Sequence, residues 1–338
     1  MKQFNVYAIG NALVDIDFEI SEDTLERLGI AKGVMTLIDE TKHHQLLEEL
    51  DGVKHLKTCG GSAANTIYTL QQLGAKTFYS CKVGSDEHGD FFYRDLVLHG
   101  VQTNLHEGHR EGITGKCIVL VTPDADRTMN TFLGATSEFS KAQLSETALK
   151  NSEYLYIEGY LVASPSGCEA AILARQLAKK HQIKTAISLS DPNMVTYFKD
   201  GLCAIIDDQV DIMFCNEKEA LLFSGKETLA EAQNMIKKYA KTFVITLGEE
   251  GAIVFDGERF AFITAYNVPV VDTVGAGDVF AGAFIYAVTH GFDYFEAGNI
   301  ASFAASKVVS KFGPRLSQEE IETVRNKFMS DAASAKTA

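Results

Sequence analysis

The chain has 338 residues, 46% hydrophobic and 22% charged, with five prolines and no low-complexity block, which suits one large α/β domain carrying a smaller inserted unit. A formal net charge of −14 argues against nucleic acid or an anionic membrane surface as the main partner. Six cysteines without a C-x-x-C pair argue against a zinc site or a disulfide framework and leave six free, mostly buried thiols. The opening MKQFNVYAIGNALVDI has no signal-peptide apolar region, and the longest apolar run, Val279–Val288, is too short to cross a bilayer. A cytoplasmic protein without membrane partners is expected.

In chain order, Phe4–Gly10 reads as a buried strand, Ser62–Gly74 as a helix ended by glycine, Thr77–Gly84 as a strand, and residues 87–100 as a helix. Then come EYLYIEG as a strand, a helix from Pro165 to about His181, the strands IKTAISLS and VDIMFCN, a helix from Glu217, and the strand KTFVITLG. Strand alternating with helix predicts a doubly wound, mainly parallel sheet. Two regions break the alternation. Asp15–Ile20 and Gly33–Ile38 read as strands without a crossover helix between them, and Gly115–Leu133 reads as two strands around the turn Pro123-Asp124-Ala125-Asp126. These four strands predict a small antiparallel sheet standing off the main one; edge strands of the main sheet are the alternative. The small, polar end, residues 330–338, is expected to fray.

The densest chemical signal is DTVGAGDVFAGAF. A Gly275-Ala276-Gly277 turn opening a helix presents unpaired N–H groups at the positive end of a helix dipole, and so forms an anion site. Asp278, just inside, reads either as a dipole-stabilised capping acid or as a carboxylate that takes a proton from an attacking hydroxyl while the N–H row holds the transferring group. CGGSAANT places the pair Gly60-Gly61 before a helix carrying Asn65, a pattern weak by itself. In NEKEALLF, Asn216 and Glu219 fit a helix N-cap with its capping-box acid; outer-shell support of a magnesium ion is the functional alternative. VITLGEEGAIVF predicts strand, tight glycine turn and strand, against which a nucleotide base could lie. Neither G-x-x-x-x-G-K-[ST] nor an opening G-x-G-x-x-G occurs, so ATP would be bound without a P-loop, and an NAD-dependent oxidoreductase is disfavoured. A non-catalytic ligand-binding or regulatory protein is the other alternative, and it predicts loss of the acid that Asp278 supplies.

CGGSAANTIYTLQQLGAKTFYSCKVGSDEHG and DTVGAGDVFAGAF resemble the two signatures of the ribokinase (PfkB) family of carbohydrate and nucleoside kinases; NEKE is similar to its N-x-x-E magnesium motif and TLGEEGA to its nucleotide loop. The four features follow the family's order over most of the chain. The resemblance implies a ribokinase-like fold: a Rossmann-like, mainly parallel α/β sheet flanked by helices, with a β-sheet lid at 15–38 and 114–135, the main domain at 1–14, 39–113 and 136–330, and a flexible tail at 331–338. It implies ATP- and Mg²⁺-dependent phosphorylation of a primary hydroxyl, with Asp278 as general base and Gly275, Ala276 and Gly277 as anion hole. ATP would be held by Asn216, Thr246, Gly248, Gly251, Asp272, Thr273, Gly275, Gly277 and Asn299, and Mg²⁺ by Asn216 and Glu219 through water. A monovalent cation such as K⁺ is left open, as is the oligomeric state.

GNALVDI and the segment from Thr114 to Ala135 look like the bacterial adenosine-kinase-like members. That likeness implies Asp15 on the vicinal hydroxyls of a ribose, with Asn11, Gly60, Gly61 and Asn65 around the sugar and Leu13 on a base. Tyr160 is a further stacking candidate, with plain packing as its alternative. Adenosine, phosphorylated on its 5′-hydroxyl to AMP in purine salvage, is the expected acceptor; a sugar of ribose, fructose or 2-keto-3-deoxygluconate type is the alternative. Arg127 lies at the turn of the second strand pair, either exposed there or reaching substrate or phosphate.

Overall fold

The computed structural model describes residues 2–33, 35–105, 111–124 and 126–335. Fourteen strands are present among them: β1 Phe4–Ile9, β2 Leu13–Glu19, β3 Met35–Leu37, β4 His55–Gly60, β5 Thr77–Ser80, β6 Gln102–Thr103, β7 Gly115–Val121, β8 Arg127–Phe132, β9 Ser152–Glu158, β10 Lys184–Ser188, β11 Val210–Asn216, β12 Ala240–Thr246, β13 Gly251–Phe255 and β14 Phe260–Thr264.

The apolar strands that alternate with helices collect in one nine-stranded sheet of order β14-β13-β12-β11-β10-β9-β1-β5-β6. It is parallel from β6 to β12 and ends in two antiparallel strands, as the tight turn at Gly248–Glu250 dictates. Strand periodicity splits each strand between two cores. In β1, Val6 and Ala8 face the helices Ser62–Leu73, Ala276–Thr289 and Tyr294–Val308, while Tyr7 and Ile9 face the side covered by Pro165–Lys180 and Lys199–Ile206. Burial on both faces is what the near-continuous apolar runs require. The carboxyl ends of β1, β9, β10, β11 and β12 therefore open on one edge, the place where α/β sheets bind ligands.

The second sheet has five strands, in the order β3-β8-β7-β2-β4. Its outer face, with Ile16, Phe18, Ile118 and Leu120, is buried by Leu25 and Leu46 from the helices Glu22–Arg27 and Glu40–Glu49 and by Leu50, which caps the second helix. By alternation, Asp15, Asp17, Cys117 and Val119 lie on the opposite face. The expected separate sheet exists, with three corrections. It is mixed rather than antiparallel, because β2 pairs with β7 and β3 with β8 in parallel. It contains β4, which belongs to the stretch expected in the main domain; β4 pairs with β2 from Leu13↔Gly60 to Phe18↔His55. A short helix, Glu22–Arg27, separates β2 from β3, and the two strands are not neighbours. Ala125, in the expected turn, lies outside the described residues. The last helix runs to Ala335, so residues 331–335, expected as flexible tail, are helical; 336–338 lie outside the described residues.

Gly60 and Gly61 close β4 and begin the helix Ser62–Leu73. A Cβ on Gly60 would collide with the Asp15 carboxylate, and Gly61 has φ +98° with its missing Cβ against the Asn11 carbonyl. Only glycine lets the small sheet approach that closely. All six cysteines are free, four of them buried.

Candidate active site

A cavity of about 400 Å³ opens between the carboxyl edge of the large sheet and the inner face of the small one. The small sheet supplies Leu13, Asp15, Met35, Leu37, Cys117 and Met129 to its wall. The large domain supplies Asn11, Gly61, Asn65, Tyr160, Asn216, Glu219, Gly275, Gly277 and Asp278. A second cavity of about 730 Å³ is lined by Thr246, Gly248, Gly251, Tyr266, Thr273 and Ala276 among others. Both cavities include Thr246, Gly277 and Phe280, so they meet where the helix Ala276–Thr289 begins.

That helix is capped by Gly275 in the left-handed conformation, φ 77°, with no side-chain hydrogen bond on its first N–H groups. Ala276 N donates to the Thr273 carbonyl at 3.2 Å, which leaves the N–H groups of Gly275 and Gly277, at the positive end of a fourteen-residue helix, as donors open to an anion. Gly277 has nothing within 4 Å of where a Cβ would be. Packing does not require glycine there; the open space at the cavity junction lets a ligand reach the backbone.

Asp278 sits one residue further on. Ser62 Oγ donates to its Oδ1 at 2.5 Å and Asn65 Nδ2 to its Oδ2 at 3.2 Å. Burial pushes its carboxyl up to about 6, with the two hydrogen bonds pulling the other way. Asp15, on β2, is held up to about 7, first by burial and then by the charge of Asp17, against the pull of Arg315 and Arg127. Glu158, at the end of β9 and 1% exposed, accepts from the N–H of Ala63 at 2.7 Å and of Asn11 at 3.2 Å. Burial lifts it to about 7 as well. It ties β1 to the start of the helix carrying Asn65. Asn11 is fixed further by Tyr79, which donates to its carbonyl, and by Thr136, which donates to its Oδ1.

Asn216 and Glu219 form a full capping box. Glu219 N donates to Asn216 Oδ1 at 2.8 Å, while Glu219 accepts from Asn216 N at 3.0 Å and Nδ2 at 2.7 Å. The acid is 3% exposed yet lines the cavity, and burial raises it to about 7, with Asp191 adding to the shift. Capping and an outer-shell role are therefore compatible in one geometry.

Two expected ATP contacts lie elsewhere. Asp272 is buried and lines neither cavity: its Oδ1 accepts from Val274 N at 3.0 Å and its Oδ2 from Gly313 N at 2.9 Å, so it shapes the turn instead. Asn299 is exposed, its amide turned back on the Phe295 carbonyl, and it lines neither cavity. Arg127 is not an exposed turn residue. Its side chain is 9% exposed and bridges Asp17 at 3.1 Å on the small sheet and Asp272 at 2.8 Å on the large domain. Ser62, Glu158 and the apolar residues Met35, Leu37, Met129 and Leu133 were not anticipated. An acid ending an otherwise apolar run, YLYI, was the signal for Glu158; none marked the others.

A mainly parallel sheet between helices and a smaller second sheet, meeting over a glycine-capped helix start and a buried carboxylate, define a phosphotransferase of ribokinase-like fold. The family profile of the pfkB family carbohydrate kinases matches residues 28–321, and the chain belongs to that family. It is thus a kinase for a carbohydrate or nucleoside alcohol, and the family implies ATP as phosphate donor. Among solved structures, a probable sugar kinase from Rhizobium etli CFN 42 is 31% identical, with a TM-score of 0.89 over 97% of this chain and 99% of that one. The adenosine kinase from Sinorhizobium meliloti is 31% identical, with a TM-score of 0.88 over 96% and 99%. Among curated relatives, the ribokinase of Haemophilus influenzae is 29% identical over 288 residues, 81% of this chain and 90% of that one. No helix among the described residues is long and apolar enough to cross a membrane.

Proposed function

We propose that this kinase phosphorylates the 5′-hydroxyl of a nucleoside, with adenosine as its acceptor and AMP as the product. The observation that carries this is the two-sided acceptor cavity: Asp15, Asn11 and Asn65 offer hydrogen-bonding groups, while Leu13, Met35, Leu37, Met129 and Leu133 form an apolar wall. Vicinal hydroxyls suit the first and a flat base suits the second, whereas a bare sugar would leave the wall unfilled.

Asp278 takes the proton from the attacking hydroxyl. Its raised pKa leaves the carboxylate both ionised above pH 6 and basic enough to accept, and Ser62 and Asn65 aim it. As the hydroxyl oxygen bonds to the γ-phosphorus and the β–γ bridge breaks, charge on the transferring group is met by the N–H groups of Gly275 and Gly277, the Ala276 N–H being held by the Thr273 carbonyl. ATP lies in the second cavity, its base beside Gly248, Gly251 and Tyr266. No three His, Cys, Asp or Glu side chains converge on a metal position among the described residues, so the protein offers no complete cage. A buried, cavity-lining carboxylate with no ion pair among the described residues does fit a hydrated Mg²⁺, and Asn216 and Glu219 would hold one through water. The ion would screen phosphate charge. The net charge of −14 and the lack of a membrane-crossing helix among the described residues are consistent with a cytoplasmic enzyme.

Steady-state rates with ATP on adenosine, other nucleosides, ribose, fructose and 2-keto-3-deoxygluconate test the reading. Adenosine should exceed every free sugar at least tenfold in kcat/KM; a sugar as preferred acceptor overturns it. That second reading is favoured by one feature: none of the small-sheet residues on the cavity wall is aromatic.

A further inference from the structure

Behind Asn65 lies a cation that neither the acceptor nor the nucleotide contacts account for. Arg315 follows the helix Tyr294–Val308 and precedes the last helix, Gln318–Ala335. Its side chain is 13% exposed and lines neither cavity. Nε donates to Asn65 Oδ1 at 3.2 Å, and Nη1 to Asp95 Oδ2 at 2.7 Å on the helix Glu87–Leu98. The guanidinium lies over the Tyr68 ring, 4.6 Å from its centroid. The same loop touches the anion turn: Gly313 N donates to Asp272, and Pro314 packs where a Cβ on Gly275 would be.

We propose that Arg315 is a positioning residue for the phosphoryl-transfer base, holding the Asn65 amide so that its N–H₂, and not its oxygen, faces Asp278. The inference rests on the reading of Asp278 as the base. An amide has one oxygen and one nitrogen end, and little but its partners decides which end faces which group. Asp278 needs the donor end. A cation on Oδ1 makes that orientation the one that pairs both ends of the amide, and it polarises the amide so that Nδ2 donates more strongly. Reversing the amide would set two donors against each other at Arg315 and two acceptors at Asp278. A lysine could hold Asp95 or Asn65 but lacks the planar fork that spans both.

Arg315 reaches Asp278 only through Asn65. The other groups around that carboxylate are Ser62 on the same helix, Asp15 on β2, Tyr79 beside β1, and Tyr156, Glu158 and Tyr160 from β9 and the turn after it. Asp15 also feels Arg315 directly, so the test reads kcat at saturating acceptor, where Asp15 enters mainly through KM.

The experiment is the pH profile of kcat for wild type, Arg315→Lys, Arg315→Met, Asn65→Ala and the Arg315→Met/Asn65→Ala double variant, with Asp278→Asn as control and melting temperatures for all. Both Arg315 variants should lower kcat about tenfold and move the acid limb up by about one pH unit, a tenfold change in the ionisation constant. KM for ATP should stay as in wild type. In the double variant, Arg315→Met should add nothing to the loss from Asn65→Ala. Should Arg315→Met fail to fold, Arg315→Lys, which keeps a cation beside Asp95 and Tyr68, decides alone. An unmoved acid limb in Arg315→Lys, or additive losses in the double variant, overturns the inference while an inactive Asp278→Asn leaves the base assignment standing. An active Asp278→Asn overturns both.

Discussion

Asp278→Asn separates the chemistry of this site from its packing. The substitution keeps side-chain size and keeps an oxygen that can accept from Ser62 Oγ, now at 2.5 Å. Its new amide nitrogen would meet Asn65 Nδ2, at present 3.2 Å from Oδ2, and Asn65 cannot turn over without giving up Arg315. One hydrogen bond is therefore lost, a cost of about 1–3 kcal/mol. Against this, the variant no longer has to ionise in a desolvated place. A carboxyl raised from 3.8 to about 6 carries a penalty of at most about 3 kcal/mol above pH 6, an upper bound because the group borders the cavity. The two contributions nearly cancel, so the melting temperature at pH 8 should stay within about 5 °C of wild type. Turnover should not survive: kcat is expected to fall by roughly 10²–10⁴, the usual scale for loss of a general base. ADP release at saturating ATP and acceptor measures it, alongside nucleotide binding by calorimetry, which should be nearly unchanged. The sign of the pH dependence follows from the same carboxyl. It accepts a proton only when ionised, so wild-type kcat should decline as pH falls through about 6 and level off above 7. Near wild-type turnover in the Asn variant, or a flat wild-type profile from pH 5 to 7, would refute the reasoning.

Asp15→Ala should raise KM for the acceptor roughly tenfold to a hundredfold with little change in KM for ATP, since a hydrogen bond to a charged group contributes about 1.5–3 kcal/mol; equal sensitivity of ribose and 2′-deoxyribose acceptors would show that it does not read the diol. Glu219→Gln should weaken the response to Mg²⁺ more than acceptor binding, and a variant that loses thermal stability alone, with an unchanged Mg²⁺ titration, would make the capping box its whole role. Arg127→Met strands Asp272, 2% exposed in its side chain, without its cation, and should cost about 3–5 kcal/mol of stability. Adding Asp272→Asn should recover part of that in thermal melts; no recovery would mean the bridge between the sheets is not what stabilises.

The main sheet was legible in the sequence because burial writes itself locally. FNVYAI and VDIMFCN sit between two helical layers and are apolar on both faces, and that pattern needs no knowledge of partners. The same holds for the start of the helix Ala276–Thr289, where GAGD specifies a cap, a dipole and an acid within four residues, and for the Asn216/Glu219 box. Asp15 and Asp17 on one face and Ile16 and Phe18 on the other were equally implicit in alternation. Partnership was not. That β2 would lie parallel to β7 and take β4 as its edge depends on chain closures of 102 and 47 residues, Leu13 to Gly115 and Leu13 to Gly60, which leave no local mark. Arg127 read as a turn residue because its neighbours are polar; only the tertiary fold set it between Asp17 and Asp272. Arg315 and Asn65 are 250 positions apart. Periodicity and caps report which face of an element is buried, but the groups that meet across that face are chosen by packing elements distant in the chain, and hydrogen bonds of that range exist only once the whole sheet has closed.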